Sequence, residues 1–160
     1  MISMAKFPAT QTTRFLDSQG VEYTKHLYDY TKSGAVAAAE LMDLPEHAMI
    51  KTLVMEDNER KPFIILMHGE KRTSLKDLAR QIGVKNVSSV SVKDAQRYTG
   101  YMVGGISPFG TRRVLKVHVE ATILDLDYLY INGGRRGYIL GMTPEVLVQA
   151  LNPVLVHVAR

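Results

Sequence analysis

The spacing of apolar and polar residues changes period several times along the chain, and each change marks an element. "TSLKDLARQIG" puts Leu75, Leu78, Ala79 and Ile82 at i, i+3, i+4 and i+7, with Thr73 or Ser74 to cap the start and Gly83 to end it. That spacing predicts a helix. "PATQTTRFLDSQG" predicts a first helix closed by Gly20, and "SGAVAAAELMDL" an alanine-rich one capped by Ser33 that Pro45 cannot continue. "SVKDAQRYTG" predicts a helix between Ser91 and Gly100, and "TPEVLVQAL" one that starts at Pro144 behind Thr143 and ends at Asn152-Pro153.

Period-two stretches lie between these helices. "VEYTKHLYDY" alternates apolar and polar residues, and "RRVLKVHVE" alternates Val114 or Leu115 with charged neighbours. "AMIKTLVM" and "PFIILMHG", separated by the polar "EDNERK", predict two buried strands of a hairpin. "DYLYI" and "YILGM" flank "NGGRRG" as a second hairpin, and "VLVHVA" reads as the last strand. With no repeat or linker interrupting the series, it predicts one α+β domain over residues 1–160, with a mixed, mostly antiparallel sheet packed with helices.

Composition narrows the chemistry. The 160 residues, 46% apolar and 22% charged, suit one ordinary globular core. The absence of cysteine excludes disulfides, thiolate metal sites and a cysteine nucleophile. No run approaches the ~18 apolar residues of a spanning helix, and the first residues lack the layout of a secretory signal, so a cytoplasmic location is expected. A net charge of +4 is compatible with a polyanionic partner without requiring one.

Common catalytic motifs are missing. The five histidines show no H-E-x-x-H spacing, so no metal is expected, and His118 and His157 read as histidines of apolar strands. Ser107 precedes Pro108, as in a turn rather than a nucleophile elbow. Neither a Walker loop nor G-x-G-x-x-G occurs, so no nucleotide cofactor is implied.

Two features stand apart. Lys51 lies among Met49, Ile50, Leu53 and Val54, where an ammonium is costly unless it reaches water or a partner. It reads either as an anion- or carbonyl-binding lysine at a pocket mouth or as an edge lysine whose stem lies along apolar surface. "GYMVGGISPFG" carries Gly100, Gly104, Gly105 and Gly110, "NGGRRG" repeats paired glycines with cations, and "GTRR" adds Arg112 and Arg113 beside a glycine. Such loops either make tight turns or aim backbone N–H groups at an oxygen.

"IKTLV", "TGYMVGGISPFG" and "INGGRRG", in that order, resemble the YbaK family, free-standing relatives of the editing domain inserted in bacterial prolyl-tRNA synthetases. The resemblance implies a deacylase that hydrolyses mischarged cysteinyl-tRNA(Pro), with the substrate's own thiol attacking its carbonyl. It implies aminoacyl-tRNA, chiefly tRNA(Pro), as partner, with prolyl-tRNA synthetase as a possible second, and neither DNA nor a membrane. Carried onto this sequence, it makes Lys51, Gly104 and Gly105 catalytic, the glycines through backbone N–H groups facing an oxyanion. Tyr28, Thr52, Gly100, Tyr101, Ile106, Ser107, Pro108, Asn132, Gly133, Gly134 and Arg136 become substrate-binding, with Gly137 in the second loop. Arg136 is the candidate phosphate contact, with Arg112 and Arg113 behind it. Asn132 stands where many relatives have serine, and Ile139 where a polar or acidic residue is common; both bear on the preferred amino acid. Alanyl-tRNA(Pro) deacylation and noncatalytic tRNA binding are the alternatives.

Overall fold

The computed structural model describes residues 6–30 and 35–160. Its helices are α1 (Gln11–Gln19), α2 (Ala35–Met42), α3 (Leu75–Ile82), α4 (Val92–Thr99) and α5 (Pro144–Leu151). The strands are β1 (Thr24–Leu27), β2 (Met49–Asp57), β3 (Pro62–His68), β4 (Val87–Ser89), β5 (Lys116–Glu120), β6 (Leu129–Asn132), β7 (Tyr138–Met142) and β8 (Val154–Val156).

The predicted punctuation is visible at the helix ends. Ser74, Ser91 and Thr143 accept hydrogen bonds from the backbone N–H groups of Asp77, Asp94 and Val146, while Gly83 and Gly100 close α3 and α4 in the left-handed conformation. The Ser33 cap expected for α2 lies outside the described residues.

The strands form one mixed sheet in the order β1-β7-β6-β2-β3-β5-β8, with β4 also paired to β2. Pairs β1–β7, β2–β3, β2–β4 and β6–β7 are antiparallel; β2–β6, β3–β5 and β5–β8 are parallel. The unbroken apolar run of β3 follows from its central place. Ile64 and Leu66 pack on one core with Leu16, Phe109 and Val119, whereas Phe63, Ile65 and Met67 pack on the opposite core with Leu78 and Val156.

Several strands are shorter than the pattern predicts. β1 spans four residues and leaves Leu27 about half exposed, because it is an edge strand with β7 as its neighbour. Val114 stands in solvent ahead of β5, and His157 lies exposed beyond β8. β4, only three residues long, is too short to give a readable period. Among the described residues no helix is long and apolar enough to cross a membrane.

One register positions the site. β2 pairs with β6 only at Met49–Tyr130 and Ile50–Ile131. Beyond that point Lys51 and Thr52 continue β2 while β6 ends at Asn132, so the two strands stop sharing a ladder beside the second hairpin turn.

Candidate functional site

A cavity of about 290 Å³ opens where that ladder stops. β2 supplies Met49 to Thr52, the second hairpin supplies Asn132 and Ile139, and α2 supplies Ala38. Val103, Gly104 and Ile106 cover it from the loop after α4, and Tyr28, just past β1, closes a side. Tyr28 is held there by its own N–H, which donates to the Gly137 carbonyl at 2.9 Å. The cavity thus brings together Tyr28, Lys51, Thr52, Gly104, Ile106 and Asn132 from distant parts of the sequence.

Among the described residues, two polar groups in this apolar surround take no protein partner. The Thr52 hydroxyl oxygen is buried and takes no hydrogen bond from the described residues. Lys51 is half-buried and, among the described residues, has no carboxylate within ion-pair distance. Burial lowers its pKa; nearby Glu70 pulls upward and Arg72 downward. Buried polar groups normally find partners; Thr52 shares this condition with Glu56, Thr73, His118 and Tyr138, and differs from them in bordering the cavity beside Lys51. The Tyr28 phenol is pushed upward, chiefly by burial, and stays protonated at neutral pH.

The glycine loop has a defined shape. Gly104 holds φ +97°, and a Cβ there would collide with the Tyr30 hydroxyl, so the backbone must pass bare. Its N–H takes no partner among the described residues, and the residue borders the cavity. Gly105 behaves differently from expectation. Its N–H donates to Met102 O at 2.9 Å, so it is not available to an oxyanion. A Cβ on Gly105 would come 2.7 Å from the Arg135 carbonyl carbon, so this glycine lets the two glycine loops touch.

Arg136 fastens the same contact. Its Nε donates to Val103 O at 2.8 Å and its guanidinium lies over the Tyr30 ring at 5.3 Å. Tyr101 is buried: its hydroxyl donates to Phe109 O at 2.5 Å and receives the Thr12 hydroxyl at 2.9 Å. Ser107 and Pro108 are buried too, with Ser107 Oγ accepting from Phe109 N–H. Gly133 donates to Tyr138 O and accepts from the Thr10 hydroxyl. These residues shape and brace the loops; the cavity lining does not include them. Gly100 and Gly134 line a neighbouring cleft with Met102 and Arg136. Arg113 lies over Tyr98, and Arg112 N–H donates to Thr99 O, both away from the cavity.

The fold also brings together His47, His68 and Glu70, which the sequence spacing gives no reason to group. The two imidazoles stack at 3.7 Å with nearly parallel planes, which directs their lone pairs side by side rather than at a common point. Both nitrogens of His68 are engaged, Nδ1 with His47 O at 2.6 Å and Nε2 with Thr122 Oγ1 at 2.8 Å, and His47 Nδ1 faces Glu70 at 3.0 Å. The arrangement is a buried histidine beneath a surface histidine–carboxylate pair, with one ligand atom from each residue within 4.8 Å of the others.

Tyr30, Met49, Ile50, Ala38 and Val103 are the site residues that sequence reasoning missed. Met49 and Ile50 were adjacent to the highlighted lysine; the others show no signal apart from the fold.

Comparison with known proteins bears on the family and the fold. Residues 31–150 match the family described as the aminoacyl-tRNA editing domain. The Enterococcus faecalis protein provisionally named Cys-tRNA(Pro)/Cys-tRNA(Cys) deacylase EbsC is 27% identical over 154 residues, covering 93% of this chain and 94% of that one. A proline–tRNA ligase of Thermodesulfovibrio yellowstonii is 24% identical over 82% of this chain, which spans only 22% of the ligase. Among solved structures, the hypothetical protein APE2540 superposes with a TM-score of 0.87 at 23% identity, covering 94% of this chain and all of that one. A provisionally assigned trans-editing enzyme for prolyl tRNA synthetase superposes at 0.85 and 18% identity, covering 96% and 99%. At these identities the superpositions establish the fold.

Proposed function

The chain belongs to the aminoacyl-tRNA editing domain family, and from that premise we propose that it is a cytoplasmic trans-editing deacylase for cysteinyl-tRNA(Pro). The observation that carries this reading is the small apolar cavity with an unpartnered lysine and an unpartnered buried hydroxyl at one wall. An aminoacyl ester supplies carbonyl and ribose oxygens for Lys51. The Gly104 N–H, bare and bordering the cavity, is the candidate donor to the carbonyl oxygen as it gains negative charge.

The lining described offers no carboxylate or imidazole to take a proton from water: its polar side chains are Lys51, Thr52, Asn132 and the Tyr28 phenol. A substrate thiol removes the need for such a base. Its sulfur attacks the ester carbonyl carbon, the bond to the ribose oxygen breaks, and the thiol proton passes to that oxygen. The products are free tRNA and a cysteine thiolactone that water opens later. The role of the protein is then to hold the ester bent back on itself and to stabilise the oxyanion.

Ile139, buried against Ala38 and Met49, makes one wall apolar. That wall favours a small apolar side chain equally, which keeps alanyl-tRNA(Pro) as the second reading. The two substrates tested side by side, with Lys51→Ala as control, decide the matter. Fast loss of the cysteinyl ester alone, abolished by the substitution and by S-methylation of the substrate, is the expected result. Preferential alanyl hydrolysis would select the second reading, and no turnover of either would overturn both.

A further inference from the structure

The direction of the Gly104 N–H is set by the peptide unit that it shares with the Val103 carbonyl. Gly105 N–H donates to Met102 O at 2.9 Å, closing a four-residue turn with Val103 and Gly104 at its centre. Gly104 holds φ +97° while Val103 stays at negative φ, so the turn is of type II. Types I and II share the closing hydrogen bond and differ chiefly in the central peptide, which is rotated by roughly 180° between them. Here that peptide is Val103–Gly104. The Gly105–Met102 bond alone therefore does not decide which way the Gly104 N–H points.

Two side chains from other elements act on this turn. Gln96 of α4 accepts the Val103 N–H on Oε1 at 3.1 Å, and Arg136, between β6 and β7, donates its Nε–H to Val103 O at 2.8 Å. In a trans peptide the C=O and N–H point in opposite directions, and no cis bond occurs among the described residues. Val103 and Gly104 line the aminoacyl cavity, whereas Arg136 does not. A carbonyl turned outward to Arg136 thus turns the Gly104 N–H inward. The guanidinium is itself seated over the Tyr30 ring at 5.3 Å, and the Tyr30 hydroxyl stands where a Cβ of Gly104 would be. Among the described residues Arg136 has no carboxylate within ion-pair distance, so its charge acts on the carbonyl undivided. A cation on a peptide oxygen draws electron density from the same peptide and strengthens its N–H as a donor.

We propose that Arg136 is a positioning residue for ester cleavage: by holding Val103 O it locks the Val103–Gly104 peptide with the Gly104 N–H toward the substrate carbonyl, and it polarises that N–H. The assignment rests on the editing reading for the identity of the oxyanion. It differs from the phosphate contact that the family resemblance implies for Arg136. A phosphate contact acts on KM and on its salt dependence, whereas a peptide lock acts on kcat.

The test is deacylation of cysteinyl-tRNA(Pro) by Arg136→Gln, Arg136→Lys and Gln96→Leu at two salt concentrations, together with a crystal structure of Arg136→Gln. Arg136→Gln should lower kcat about tenfold, the scale of a weakened oxyanion donor, and leave KM and its salt dependence near those of the wild type. Arg136→Lys should stay low, because lysine keeps the charge but not the planar fork seated between Val103 O and Tyr30. Gln96→Leu should lower kcat in the same sense by a smaller factor; Gln96 is neutral, so no phosphate contact is lost with it. The Arg136→Gln crystal should show the Val103–Gly104 peptide flipped or in two orientations. A raised KM that lysine restores and salt abolishes, with kcat unchanged, would overturn the lock in favour of a phosphate contact, and an unmoved peptide would overturn it as well. A flipped peptide in a protein whose wild type is inactive on every ester would retain the lock and reject the editing reading alone.

Discussion

Lys51 on β2 and Glu120 at the end of β5 are both ionisable side chains set into one sheet, but the protein treats them in opposite ways. Glu120 is almost fully buried and completely answered. Its Oε1 accepts from Val158 N–H at 2.7 Å and Ala159 N–H at 3.0 Å, and its Oε2 accepts from the Thr122 N–H at 3.0 Å and hydroxyl at 2.7 Å. Burial pushes its pKa upward, and those bonds outweigh burial to hold it below the ordinary range. Lys51 is half-buried and unanswered among the described residues, beside a threonine hydroxyl that also lacks a partner there. The satisfied charge serves the fold, and the proposed function assigns the unsatisfied one to a ligand.

The largest expected effect lies on the satisfied side. Glu120→Ala strands two donors that tie the C-terminal segment to β5, and should cost about 3 kcal/mol in denaturant unfolding. Turnover per folded molecule should be unchanged. Because the folded pKa of Glu120 is lowered, its contribution is present above the unfolded carboxylate range and is lost as pH falls through the folded value. Equal activity loss and stability loss would erase the contrast between the two sites.

On the unsatisfied side the signs reverse. Lys51→Ala should lower single-turnover deacylation about 100-fold, near 2.7 kcal/mol, while the unfolding midpoint stays level or rises, since an unpaired half-buried ammonium is removed. Thr52→Val takes away an orphan hydroxyl at nearly constant volume. Stability should hold or improve by up to about 1 kcal/mol, with turnover about tenfold lower. A stability loss in Thr52→Val would mean that the hydroxyl is already partnered and is no vacancy.

This contrast also separates what was readable in the sequence from what was not. Element types were legible because burial is periodic: α3 shows its apolar stripe, and β3 is apolar from Phe63 to Met67 because both of its faces are covered. The cavity residues Lys51, Thr52, Gly104 and Asn132 were marked by a cation in an apolar strand or by their family motifs. What was hidden depends on long-range partners. Whether the Gly105 N–H is free is decided by Met102 O, and whether Tyr101 lines a pocket or braces a loop is decided by Thr12 and Phe109. Tyr30 reaches Gly104 only through the fold, and His47, His68 and Glu70 meet only because β3 runs back beside β2.

The smallest expected effect sits where the two categories meet. His68 is buried, and burial chiefly lowers its pKa, with the His47 carbonyl, Glu70 and Glu120 pulling upward. Its contribution is therefore complete above the unfolded value of about 6.5 and lost as pH falls through the folded one. Hydrogen counting opposes that loss. Nδ1 must donate to His47 O, and the single Thr122 hydroxyl hydrogen cannot serve both His68 Nε2 at 2.8 Å and Glu120 Oε2 at 2.7 Å. A proton on Nε2 would let His68 donate to Thr122 and Thr122 donate to Glu120, completing the chain. Desolvation, the largest cause of the lowered pKa, and the missing hydrogen thus pull in opposite directions. Stability should fall slightly between pH 7 and 5, and His68→Gln should flatten that slope; a wild-type slope of opposite sign would show that the Thr122 relay outweighs burial.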